Sequence, residues 1–131
     1  MVTKEDIESF LDRIDSGTAN VGEVKPGTWV VKTVAGAEVV VHYAPPVVIL
    51  RVTVMTLPAA EPRRSELLRE LLELNARDLV HGAYGLEGDR VVLTDTLELE
   101  NLDYNEFEAS FDSITLALAS HYSALAPYKE A

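Results

Sequence analysis

Residues 68–107 read LRELLELNARDLVHGAYGLEGDRVVLTDTLELENLDYNEF, and the order of local signals in this stretch decides the fold. Leu67, Leu68, Leu71, Leu72 and Leu74 recur at helical spacing behind the breakers Pro58 and Pro62, which predicts a helix over residues 62–76. Two apolar-rich runs follow, Val80 to Leu86 and Arg90 to Leu99, parted by Glu87-Gly88-Asp89; they read as a hairpin. Asp103 with Glu106 three residues on is a capping-box signature. Phe107, Phe111, Ile114, Leu118 and Tyr122 then continue at steps of three or four, predicting a last helix over 104–124.

Upstream, Thr28 to Leu57 is rich in Val, Ile, Thr and aromatics and is interrupted at Ala35-Gly36 and at Pro45-Pro46. Strands at 28–34, 37–43 and 47–56 are the simplest division. Further back, Thr3 and Asp6 resemble a capping box ahead of Ile7, Phe10, Leu11 and Ile14, the stripe of a helix over 4–15. Gly17 suits the C-terminal cap of that helix, and Gly17 to Gly27, with Gly22 and Pro26, reads as a connecting loop. The element order is αβββαββα, which indicates an α+β fold with a mainly antiparallel sheet of five strands. At 131 residues the chain is expected to form one domain, residues 1–131, with a full hydrophobic core.

The stretch Leu68 to Tyr122 resembles the Tir-chaperone-type (CesT-like) and YbjN-like superfamily, the family of the type III secretion chaperones. The match is carried by a Leu-rich helix ending in Leu74-Asn75 and a strand with Ala83-Tyr84-Gly85-Leu86. Val91-Val92-Leu93 follows, then Leu97-Glu98-Leu99-Glu100 leads through Leu102-Asp103 into the last helix. Element order extends the likeness over the rest of the chain. The resemblance implies a homodimer, a twisted antiparallel sheet with helices packed on one side, and binding of another polypeptide without chemistry. Fold likeness leaves the choice between a secretion-linked and a regulatory role open.

Composition narrows the partners. Lys and Arg number 11 against 22 for Asp and Glu, a formal net charge of -11, so the mean field repels phosphate backbones and anionic headgroups. Nucleic acid and membrane surfaces are poor candidates, and a basic or neutral polypeptide is a better one. Cysteine is absent, which removes disulfides and thiolate chemistry. Met1 to Ile14 has no basic region followed by an apolar run, and Val47 to Leu57 is broken by Arg51 and too short to span a bilayer, so the cytoplasm is the expected compartment.

Chemistry-bearing constellations are thin. His42, His81 and His121 fall on different elements, without the helical spacing of a metal site, and read as exposed or edge histidines; no metal and no cofactor is expected. Asp95, Glu98 and Glu100 form close pairs, but chance pairs are unavoidable among so many acids and a solvated face accounts for them. Nucleophile elbows, phosphate loops and dinucleotide fingerprints do not occur, so no catalytic residue is assigned. Gly82 and Gly85, within an expected strand, mark a bulge or a close backbone approach.

The apolar surplus of the strands is the most informative feature. Trp29, Val31, Val39, Val41, Tyr43, Val48, Leu50, Val52 and Val54 form one alternating set suited to a helix-covered face. The opposite set should be polar, yet Val30, Val34, Val40, Val47, Ile49 and Met55 stand on it. Val30, Val40, Ile49 and Met55 are therefore the candidate contacts for a partner polypeptide; β-branched strand preference or burial in a dimer would equally explain them. The leucines of the second helix spread over roughly 160° at 100° per residue, wider than a one-sided surface helix needs. Leu68 and Leu72, at one end of that arc, are the candidates for a homodimer interface, a broad core contact being the other explanation. The expected function is a non-catalytic, dimeric polypeptide binder of chaperone or regulatory type. The alternative is a small-ligand protein or enzyme with a pocket between sheet and helices, lined by Trp29, Tyr43 or Tyr84.

Overall fold

The computed structural model describes residues 1–15 and 20–130. Helix α1 spans Lys4–Asp15, and its start is fixed reciprocally: the Thr3 N–H donates to Asp6 Oδ2 at 2.9 Å and the Asp6 N–H to Thr3 Oγ1 at 3.2 Å. Ile7, Leu11 and Ile14 are buried, as their spacing predicts. The cap expected at Gly17 lies outside the described residues.

Among the described residues six strands follow, not five. They are β1 (Asn20–Lys25), β2 (Thr28–Lys32), β3 (Glu38–Ala44), β4 (Val47–Thr56), β5 (Ala83–Glu87) and β6 (Arg90–Glu98), with spatial order β1-β2-β3-β4-β6-β5 and antiparallel pairing throughout. The extra strand, β1, occupies most of the expected loop. Its residues are nearly all exposed, so it has no alternating apolar signal. What marks it is the turn into β2: Pro26 is followed by Gly27 at φ +82°, the residue pair that a type II turn favours.

Helix α2 (Arg63–Arg77) connects β4 to β5, and α3 (Tyr104–Leu125) follows β6 and passes into a short 3-10 turn at Ala126–Glu130. Asp103 and Glu106 cap α3 reciprocally as expected, with the Glu106 N–H on Asp103 Oδ1 at 2.8 Å. All three helices lie on one face of the sheet. Their buried residues, Ile7 and Leu11 of α1, Leu67, Leu71 and Leu74 of α2, and Phe107, Phe111 and Ile114 of α3, join Trp29, Val31, Val39, Val41, Val48 and Leu50 in a continuous core. Among the described residues, no helix lies against the opposite face.

Two departures from simple periodicity shape the surface. In β4 the pairing to β6 slips between Thr53, which faces Val92, and Met55, which faces Val91. One inserted residue turns every later side chain to the other face. In α3 the buried stripe runs Phe107, Phe111, Ile114 and then Ala117, His121 and Leu125, while Leu118 is only partly buried and Tyr122 is 62% exposed.

Candidate functional site

The open face of the sheet carries the candidate contacts. Val30 pairs across to Val40, Val40 to Arg51 and Arg51 to Thr94, while in the next row His42 faces Ile49 and Ile49 faces Thr96. Val30, Val40 and Ile49 thus form a half-buried apolar cluster with Val47 one row further on. Polar groups frame it: Lys32 and Glu38 are 3.9 Å apart, and Arg51 reaches diagonally across β6 to Glu87.

Met55 does not belong to this cluster. The slip in β4 carries it to the helix side, where it is 9% exposed and part of the core. Val34 is likewise off the sheet, 83% exposed in the turn after β2. Val92 takes the open-face position there, since it pairs with Thr53 ahead of the slip, but it is itself buried. A single inserted residue has no signature in an uninterrupted run of β-forming residues, so strict alternation misplaced the end of the strand.

On α2 the leucine arc is graded. Leu67, Leu71 and Leu74 are buried, Leu68 is partly buried against the core, and Leu72 is 68% exposed. The structure therefore separates the two residues assigned to an interface: Leu72 stands free of the subunit core, whereas Leu68 already serves it in part.

One polar cluster was not visible in the sequence. His121, expected at the surface, is 4% exposed; its Nδ1 lies 2.7 Å from the Tyr84 hydroxyl and its Nε2 3.4 Å from Asp78 Oδ2 at the end of α2. Burial pushes the Tyr84 hydroxyl up to about 12. Beside it, Asn75 of α2 turns its side-chain amide onto the strand, accepting from the Tyr84 N–H at 2.7 Å and donating to the Tyr84 carbonyl at 3.1 Å. The amide thus mimics a neighbouring strand on the outer side of β5. Gly82 precedes β5 at φ +80°, where a Cβ would stand 2.5 Å from the Thr94 carbonyl oxygen; this is the close backbone approach expected of it. Gly85, by contrast, has open space around it.

A groove of about 930 Å³ lies between the β2–β3 turn, β4 and α3. Trp29, Tyr43 and Tyr84 are not among its lining residues. Trp29 and Tyr84 are instead core residues.

The sequence profile of the CesT_Tir_1 family matches residues 1–131. The chain belongs to that family. Solved structures agree on the fold of this CesT_Tir_1 member. One chain of the heterodimeric ExoU-SpcU complex from the type III secretion system of Pseudomonas aeruginosa superimposes with TM-score 0.69 at 18% identity, covering 95% of this chain and 98% of that one. YbjN from E. coli gives 0.64 at 13% identity, with 93% and 92% covered. A chain of the HopA1-SchA chaperone-effector complex gives 0.56 at 12% identity, with 94% and 89% covered. No curated protein matches the chain in sequence. The likeness to secretion chaperones and to YbjN, read from residues 68 to 122, therefore extends over at least 93% of the CesT_Tir_1 chain.

Proposed function

We propose that this protein is a non-catalytic, homodimeric binder of another polypeptide, of chaperone or regulatory type. The reading is carried by the sheet that bears helices on one face only, leaving Val30, Val40 and Ile49 half-buried on the other. Such a cluster at the surface of a folded chain is an interaction site in waiting. Two structures of the same fold come from protein complexes, the heterodimeric ExoU-SpcU complex of a type III secretion system and the HopA1-SchA chaperone-effector complex, which supports a partner-binding role here.

The dimer is assigned to α2 through Leu72, with Leu68 behind it. Charge supports this choice. α2 holds four Arg against three Glu, while α1 and α3 each carry an acidic excess, so of the three helices α2 is where two bodies of net charge -11 meet with least repulsion. The single domain, residues 1–131, is the unit that dimerises, and a cytoplasmic setting fits a chain with no helix long and apolar enough to cross a membrane among its described residues.

Affinity capture from native lysate tests the binding role when the wild-type protein is run beside a Val40→Asp, Ile49→Asp variant whose circular dichroism is unchanged. One recurrent, stoichiometric protein on the wild type alone is the expected result. Identical captures by both proteins, or none by either, would refute the open face as the binding surface.

A further inference from the structure

Val92 is 6% exposed, yet among the described residues it is the one buried apolar side chain that stands outside the continuous core. Its neighbours in sequence, Val91 and Leu93, are fully buried on the helix side, so the pleat turns Val92 to the open face. There it pairs with Thr53 of β4 on one flank and Gly85 of β5 on the other. Its burial is therefore the work of a side chain on the face that carries no helix.

Few side chains can do it. Thr53 is short and exposed, and Thr94, the next open-face residue on β6, is short and half-buried. Gly85 contributes nothing, and the space where its Cβ would stand has no atom within 4 Å. The long side chains around Val92 are Arg51, Glu87 and Arg90. Arg51 pairs with Thr94, one open-face row to one side of Val92, and Glu87 pairs with Arg90, one row to the other side. The Arg51 guanidinium donates to the Glu87 carboxylate, and the line between these two residues crosses β6 at Val92. An arginine stem laid this way puts its methylenes on the valine and keeps its charged head in water.

The strap is held lightly. The Arg51 and Glu87 side chains are 40% and 46% exposed. An ion pair this wet is weak and screened by salt, and keeping two long side chains extended costs rotamer entropy. Release changes the surface beside the apolar cluster: Arg51 stands directly across from Val40, and with its stem lifted the methyls of Thr53 and Thr94 link Val40 to Val92.

We propose that Arg51 is a gate on the open face: paired with Glu87 it covers Val92, and released it adds Val92 to the apolar surface that Val30, Val40 and Ile49 present. Arg51 thereby sets how wide an apolar face the protein shows, and it keeps Val92 from water while nothing else covers it. The bare backbone of Gly85 leaves room beside Val92 for an aliphatic side chain from outside. The use a partner makes of the gate rests on the polypeptide-binding reading above; the gate itself does not.

The test reads exposure and needs no partner. The full chain, methyl-labelled at valine and isoleucine, is observed by NMR with an uncharged gadolinium chelate in solution, which relaxes each methyl according to its exposure. In the wild type Val92 should be protected well beyond Val40 and Ile49 on the same face. Arg51→Ala should bring it to their level. Glu87→Gln leaves the stem in place but unlatches it, and should raise Val92 relaxation by about two- to fivefold, the factor an exposed ion pair is worth. Val52, 5% exposed on the helix side, is the internal reference and should not change. The gate is overturned by a Val92 as protected in Arg51→Ala as in the wild type, by no rise in Glu87→Gln, by an equal rise in Arg90→Ala, or by a matching rise at Val52. Binding of a polypeptide by the open face stands or falls separately, in the capture experiment.

Discussion

Tyr84 sets its ring in the core and its hydroxyl on His121, and the raised pKa that results has a definite consequence for stability. In the unfolded chain the phenol ionises near 10; in the folded protein it holds its proton to about 12. The stabilisation is complete below the first value and is lost as pH rises through the second, because the native state binds the extra proton in that window. The expected loss from this residue between about pH 8 and about pH 11, read by urea unfolding, is about 1 kcal/mol. Tyr84→Phe should flatten that alkaline fall while destabilising the protein by about 1–3 kcal/mol near neutrality, since His121 Nδ1 then lacks its buried partner. An alkaline slope identical in the two proteins would contradict the assignment. Gly82→Ala, at positive φ with the Thr94 carbonyl in the way, should cost more than about 1 kcal/mol in the same assay, whereas Gly85→Ala, with nothing near it, should cost far less. The sequence shows a histidine late in an amphipathic helix. It does not show that a tyrosine 37 residues earlier points at it, because a strand tells which face a side chain takes but not what stands opposite.

Among the elements, the three helices could be read within a residue or so of their ends, since capping residues and apolar stripes are local signals. β1 could not: its stability comes from pairing with β2, and an exposed strand carries no apolar alternation to announce it. The end of β4 failed for a related reason, a bulge being a property of two strands and their register. α2 shows where local pattern and tertiary context part. Its arc of leucines was legible, but the division between Leu67, Leu71 and Leu74 inside and Leu72 outside depends on what the rest of the fold packs against each of them. Two substitutions separate the roles. Leu67→Asp places an unpaired charge in the core and should unfold the subunit, at about 3–5 kcal/mol. Leu72→Asp should keep the circular dichroism of the wild type and halve the mass seen by light scattering. A wild-type monomer at tens of micromolar would refute the dimer. Asn75→Ala removes two hydrogen bonds from Tyr84 and should cost about 1–2 kcal/mol, with faster amide exchange along β5 as its specific mark.

For the whole molecule, the uneven distribution of charge gives the two associations opposite responses to salt. Self-association must bring together two bodies of net charge -11, so raising ionic strength from a few millimolar toward about 0.1 M, where the screening length is about 10 Å, should tighten the dimer. Binding of a basic segment should weaken over the same range. Sedimentation and peptide titration in one buffer series would reveal both trends, and a common direction would show that charge governs neither. The Asn75 amide has a consequence at this scale as well. A sheet with two bare edges can add strands at both and grow without limit, whereas here the β5 edge is already occupied at Tyr84 by the protein's own side chain. Of the two outer strands, only β1 lacks such a cover among the described residues, and it is short and bulged between Glu23 and Lys25. By this mode of joining the molecule has a valence of one: it can close a pair or terminate a growing stack, but it cannot pass the stack on.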